Sequence, residues 1–279
     1  MKKPHEHIAP RGRPRAFNDK TEQNTVQALD RALGMLAVLA DTAGMPLTDL
    51  AGRAAMAPAT AYRALITLQR HGMVEFDQQA QIWHVGPGAY RIGSAFLRRT
   101  RLSEAARHHM QDLMRTTGET ANLGIEADDE VLFLTQVETH EAIRAFFPPG
   151  TKGPMHTSGI GKALLAWYPA DRVRHILSRK GMAGYTPLSL TTETELLADL
   201  ERTRARGYAV DDQERAHGMR CIAAPIFNAH GEPVAGLSVS GPSFRVDLDG
   251  AARIGALVRR AADRVSEAIG GVVPPQALT

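Results

Sequence analysis

A single cysteine, Cys221, is all that this 279-residue chain has. No disulfide can form within it, so the fold must stand on its core alone, as proteins of a reducing compartment do. Apolar runs of the ~18–20 residues needed to cross a membrane are also missing. The N-terminal charges have no apolar segment behind them, which reads against a secretory signal. Together these absences predict a cytoplasmic globular protein. The length suits about two domains.

The net charge of +3 is unevenly spread. Residues 1–25 carry six basic and three acidic side chains, and residues 26–100 carry seven arginines against five acids, so the remaining residues sum to −2. Positive charge therefore gathers at the N-terminal end, where a polyanion such as DNA would be met. A solubilising basic tail is the plainer alternative. Residues 1–24 are polar, hold Pro and Gly, and show no periodicity, which predicts a disordered basic tail. Within it, Arg11-Gly12-Arg13-Pro14-Arg15 resembles the core of an AT-hook, short and extended enough for a narrow minor groove.

From Val26 the pattern turns periodic. Val26, Leu29, Leu33, Leu36 and Leu39 recur at helical spacing and predict an amphipathic helix ending near Asp41. After a Gly44-Met45-Pro46 loop, Thr48 is placed to cap a second helix that stops near Met56. Pro58 suits the first position of a third helix, and Gly72 can end it in the left-handed conformation. Val74-Glu75-Phe76 and Ile82-Trp83-His84-Val85 then form a hairpin. Three helices and a hairpin are the layout of a winged helix-turn-helix, here over residues 25–87. A small helical bundle without a DNA role is the alternative.

On the third helix, Ala61, Leu65 and Leu68 share an inward face. Ala59, Thr60, Arg63 and Thr67 fall mostly on another side, with Tyr62 flanking them unless it packs in the core. Small side chains allow close approach to a major groove, and Thr60, Tyr62 and Arg63 can bond phosphates or base edges. The expected DNA-contacting set is Thr48, Pro58, Ala59, Thr60, Tyr62, Arg63 and Thr67.

A helix over Ala89–Arg99 reads as a linker within residues 88–101, and residues 102–272 as a second domain. There a helix over 102–117 precedes strands at Ala121–Ala127, Val131–Val137 and Ile143–Phe147. A Gly/Pro-rich loop, Pro148–Pro154, leads to an apolar helix through Trp167. Thr192 and Glu195 form a capping box for a helix to Arg206, closed by Gly207. Strands at Cys221–Phe227 and Pro233–Val239 and a final helix from about Leu248 to Ile269 complete it. The expected class is α+β with a largely antiparallel sheet. Small residues at Thr157–Lys162 leave backbone N–H groups bare at a helix start, which suits a carboxylate; a purely structural cap by Ser158 is the alternative. Ser238 and Ser240 lie two apart on one strand and share a face.

These residues resemble the IclR family of bacterial regulators over roughly 24–270. The likeness lies in Leu29-Asp30-Arg31-Ala32-Leu33, Leu47-Thr48-Asp49-Leu50-Ala51 and Thr60-Ala61-Tyr62-Arg63, and more sharply in Gly207–Glu214 and Cys221–Asn228. Trp83-His84-Val85-Gly86 stands where many members have Tyr-x-Leu-Gly. The resemblance implies a winged helix domain, a linker helix, a GAF-like effector-binding domain, and homodimers or homotetramers on a palindromic operator. It extends to the 2-oxo-acid-responsive members, of the acetate-operon and allantoin-regulon repressor type, through Pro154-Met155-His156-x-Ser158-Gly159, Lys180-Gly181-x-x-x-Tyr185-Thr186 and Ser238-Val239-Ser240-Gly241-Pro242. It implies an effector pocket at Ser158, Gly159, Ile160, Asp211, Cys221, Ser238 and Ser240. The implied effector is a small 2-oxo acid, glyoxylate first and pyruvate second, with no cofactor or metal. Larger aromatic or sugar acids are the rival effectors.

Two other chemistries are the alternatives. Cys221 with His217 and Asp211 could make a thiol enzyme, but no catalytic motif surrounds them, and a free Cys is usually a small buried hydrophobe. Asp211, Glu214 and His217, in an expected loop, lack an obvious fourth metal ligand.

Overall fold

The computed structural model describes residues 25–100 and 102–275, so the Arg11–Arg15 segment lies outside the described residues. The chain divides into two compact units at Arg98/Arg99.

The first unit holds α1 (Gln27–Ala40), α2 (Leu47–Arg53), α3 (Pro58–Arg70), β1 (Val74–Asp77), β2 (Ile82–Val85) and most of α4 (Pro87–Thr100). Its core joins Met35 and Leu39 of α1, Leu50 of α2, Ala61 and Leu65 of α3, and Trp83 of β2. Burying a side chain such as Leu65 contributes about 1.5–3 kcal/mol. Pro58 occupies the first turn of α3. Gly72 follows that helix with φ +68°, a turn that a β-carbon would strain. The wing closes antiparallel with Phe76 opposite Trp83, and Met45 makes a single antiparallel bridge to Trp83.

Three expectations change here. Thr48 is not a cap: Pro46 precedes α2, and the Thr48 hydroxyl points to Asp49 Oδ1 within the first turn. Helix α2 ends at Arg53, well short of Met56. Val26, Leu29 and Leu33 stay exposed, because the first turns of α1 line an open groove with α3 instead of the core.

The second unit contains α5 (Leu102–Thr117), β3 (Thr120–Ala127), β4 (Glu130–Val137), β5 (Lys152–Pro154), α6 (Gly159–Leu165), α7 (Ala170–Lys180), α8 (Glu193–Arg206), β6 (Ala209–Asp212), β7 (Met219–Phe227), β8 (Pro233–Pro242) and α9 (Ala251–Ala268). Its six strands run antiparallel in the order β5-β4-β3-β8-β7-β6. Helix α6 packs on β6, β7 and β8, while α5 and α9 pack on each other and on the sheet. The Thr192–Glu195 capping box opens α8, and Gly207 closes it in the left-handed region.

Ile143–Phe147 is not a strand. The edge of β4 pairs with Lys152–Pro154 instead, inside the expected loop, while the Phe147 N–H donates to the Gln136 side chain. Asp211 and Asp212 lie in strand β6, not in a loop, because β6 pairs along β7. Helix α7 has no counterpart in the sequence reading. Among the described residues no helix is long and apolar enough to cross a membrane.

Candidate functional sites

The sheet register lays a polar row across three strands. Asp211 faces Cys221 on β7, and Cys221 faces Ser240 on β8. Cross-strand partners of this kind hold side chains within contact distance on one face. Helix α6 starts over that row. Ser158 is its N-cap and accepts from the Gly161 N–H at 3.3 Å, so its hydroxyl already serves the helix. Gly159 lies so close to the thiol that a β-carbon there would stand 2.7 Å from Cys221 Sγ. Ile160 presses onto Gly236, where a β-carbon would stand 2.7 Å from it.

These elements enclose a cavity of about 30 Å³, lined by Ser158, Gly159, Ile160, Asp211, Cys221 and Ser240, with Phe133, Phe147, Thr157 and Arg215 among its other walls. At roughly 10–15 Å³ per water, that is the room of two or three waters. Phe133 and Phe147 stack with centroids 4.7 Å apart on its apolar side. Ser238, expected in the pocket, does not line it. It sits two residue pairs further along, beside Asn122, whose amide reaches Ser240 at 3.3 Å and Ser238 at 3.5 Å.

Burial pushes the Cys221 thiol up to about 11, with the neighbouring Asp211 charge acting in the same direction against bonds from Ser240, Ser238 and Gly159. A thiol held protonated in this way is not an activated nucleophile, and His217 is exposed. Burial and the Glu214 charge raise Asp211 to about 7, against the pull of Lys162 and of the Glu214 and Arg215 N–H groups.

The group that sequence reasoning missed is Lys162. It is fully buried, and its Nζ lies 2.5 Å from Glu214 Oε1, 2.9 Å from Asp199 Oδ2 and 2.5 Å from the Val210 carbonyl. Glu214 is raised by burial despite this partner. A lysine four residues into an apolar helix start gives little warning of burial, because its two acidic partners are distant in sequence. No group of His, Cys, Asp or Glu suited to a metal exists among the described residues.

In the first unit, Thr48, Pro58, Ala59, Thr60, Tyr62, Arg63 and Thr67 are all exposed. Thr60, Arg63 and Thr67 line the groove shared with α1. The Thr67 hydroxyl donates to the Arg63 carbonyl at 2.9 Å. Tyr62 is exposed and not in the core, which leaves its phenol free to meet a partner.

Residues 28–78 match the IclR helix-turn-helix domain, and residues 94–267 match the bacterial transcriptional regulator IclR C-terminal domain. The chain is 52% identical to the HTH-type transcriptional regulator BhcR of Paracoccus denitrificans over 242 residues, 86% of this chain and 87% of the relative. It is 39% identical to the transcriptional repressor IclR of Escherichia coli, covering 95% and 97% of the two chains. An IclR homologue of Microbacterium hydrocarbonoxydans, solved with 4-hydroxybenzoate, shares the fold at a TM-score of 0.77 and 24% identity, over 87% of this chain and 98% of that one. These relatives are regulators and not enzymes. With both family domains present in order and near-full-length similarity to family members, the chain belongs to the IclR family of DNA-binding transcriptional regulators.

Proposed function

We propose that the protein controls a metabolic operon as a homo-oligomer whose operator binding responds to a small 2-oxo acid, glyoxylate first and pyruvate second. The observation that carries this reading is the small cavity at the Asp211–Cys221–Ser240 row under the start of α6. Its volume favours a ligand of a few heavy atoms over an aromatic or sugar acid. Ser240 and the Cys221 thiol supply hydrogen-bonding groups for an oxo oxygen. Asp211, raised to about 7, can be neutral beside a carboxylate.

Glyoxylate has about five heavy atoms, and at a ceiling of about −1.5 kcal/mol per atom its binding is roughly micromolar at best, a range suited to sensing a metabolite. DNA would be read by the exposed side of α3, with Thr60, Tyr62 and Arg63 as leading contacts. The ligand acts only through different affinities for the DNA-competent and DNA-released states. Helix α4, which leads from the gap after the first family domain into the start of the second, is the element proposed to carry that bias.

The test is calorimetric titration of the full chain with glyoxylate and pyruvate, beside a Cys221→Ser, Asp211→Ala double variant. Binding near the micromolar range, lost in the variant, supports the effector and the pocket together. Heat from neither acid overturns the effector assignment and leaves the DNA-binding role standing.

A further inference from the structure

Two polar side-chain atoms in the effector cavity have no hydrogen-bond partner. The Thr157 hydroxyl is completely buried and unpaired, and one terminal guanidinium nitrogen of Arg215, Nη1, is buried and unpaired as well. Both residues line the same cavity. An unsatisfied buried hydroxyl costs about 1–3 kcal/mol and a charged donor more, so two such groups on residues lining one small space leave hydrogen-bonding capacity for a ligand.

Arg215 is held in this position by its surroundings. Its guanidinium carbon lies 4.0 Å over the Tyr185 ring, a cation–π arrangement that fixes the plane of the group. The segment just before it is tied down from the same loop: the Thr186 hydroxyl donates to the Gln213 carbonyl at 2.8 Å, and the Ser189 hydroxyl donates to the Glu214 carbonyl at 2.6 Å. The ring packs on the guanidinium, and the two tethers fix the backbone just before it. No carboxylate of the chain pairs with it among the described residues, whereas nearby arginines are engaged: Arg202 and Arg206 on the buried Asp199, and Arg220 on Asp212.

We infer that Arg215 and Thr157 together bind the carboxylate of the effector, Arg215 supplying the counter-charge and Thr157 a neutral hydrogen bond to the same oxygens. This deepens the proposed function and rests on it. The site then divides its labour. Cys221 and Ser240 meet the oxo oxygen, Asp211 lies close enough in the same cavity to feel the bound charge, and the Arg215–Thr157 pair requires that the effector be an acid. Arginine suits that task because its planar fork matches a carboxylate. The inferred ligand class is a short monocarboxylate. Its uncharged amide, alike in size and shape, is rejected, because the guanidinium would face a group that neither neutralises it nor accepts through both heteroatoms.

The deciding experiment titrates the full chain with pyruvate and with pyruvamide, its neutral amide. The wild-type protein is compared with Arg215→Gln, Arg215→Lys and Thr157→Val, each checked for an unchanged melting transition. The expected result is acid preference of about tenfold or more in wild type, nearly abolished in Arg215→Gln, partly kept in Arg215→Lys, and reduced by a smaller factor in Thr157→Val. A role confined to folding would weaken acid and amide equally and leave their ratio unchanged. If wild type binds the acid and Arg215→Gln keeps its preference over the amide, this inference falls while the effector reading survives. If wild type binds neither small acid, both fall. Should Arg215→Gln not fold, Thr157→Val and Arg215→Lys decide the matter by the same ratio.

Discussion

Lys162 Nζ lies 2.5 Å from Glu214 Oε1, and neither side chain is open to solvent. A second acid, Asp199, meets the same ammonium at 2.9 Å. This ion pair joins α6 to the residues that follow β6, and so joins two of the elements that build the effector cavity. Breaking a buried pair by removing one partner leaves an uncompensated charge, which costs about 3–5 kcal/mol. Lys162→Met is therefore expected to lower stability by that order, read by denaturant unfolding of the second unit. Lys162→Met combined with Glu214→Gln recovers part of the loss. Equal stability of the single variant and wild type would remove the pair from any structural role.

Gly159 makes a sharper test of the cavity itself. An alanine there puts a methyl group 2.7 Å from Cys221 Sγ and 3.3 Å from the Ala223 β-carbon. The added carbon either fills the small cavity or pushes the thiol aside, at a cost of about 1–3 kcal/mol. Gly159→Ala is expected to abolish glyoxylate and pyruvate binding in calorimetry. Retained micromolar binding would place the effector elsewhere.

Protonation should be visible in both binding and stability. Asp211 is raised from 3.8 to about 7 in the folded chain. Between those values the folded state holds a proton that the unfolded state releases. The stability from this group is therefore fully present below about pH 4 and is lost as pH rises through about 7. An anionic effector beside Asp211 favours the protonated form further. Its affinity should fall as pH rises through about 7, with proton uptake on binding, measured by calorimetry in buffers of different ionisation heat. Asp211→Asn should flatten that dependence; a flat profile in wild type argues that no carboxylate of the ligand approaches Asp211.

The thiol should be quiet. With Cys221 raised to about 11 by burial, little thiolate exists near neutrality. Alkylation by iodoacetamide at pH 7.5 should be much slower in the native chain than in the unfolded one. A fast native reaction would reopen nucleophilic chemistry at this residue.

How far the sequence could carry these conclusions depended on the range of the forces involved. Pro58, Gly72, Gly207 and the Thr192–Glu195 box act within a few residues, and each was legible. The two-residue spacing of Ser238 and Ser240 correctly set one face of β8, yet only Ser240 lines the cavity, because α6 covers one end of that face. Ile143–Phe147 reads as a strand by composition, but an edge position is decided by which segment reaches it, and Lys152–Pro154 takes it. Asp211, Glu214 and His217 read as loop residues because strand propensity penalises acids; pairing with β7 overrides the penalty for Asp211 and Asp212, while Glu214 and His217 do lie beyond the strand. Lys162 and Arg215 were not legible. One is buried by partners distant in sequence, and the other gains its meaning from a cavity that no local pattern describes.

Arg63 offers the most direct test of the DNA-reading face. It is exposed on α3, in the groove that also holds Thr60 and Thr67. Arginine on a recognition helix meets either guanine or phosphate, and the two differ in what a mutant shows. Loss of a bidentate guanine contact costs about 1–3 kcal/mol on the cognate operator and relaxes preference at one base pair, whereas loss of a phosphate contact weakens every duplex alike and lowers the salt slope by about one. Arg63→Ala should weaken operator binding in fluorescence anisotropy by about 1–3 kcal/mol, with an unrelated duplex affected less. A uniform loss with a shallower salt slope reassigns Arg63 to the backbone. Unchanged affinity for both duplexes would move the reading surface to another side of α3, with Tyr62, exposed on that helix, as the next residue to replace.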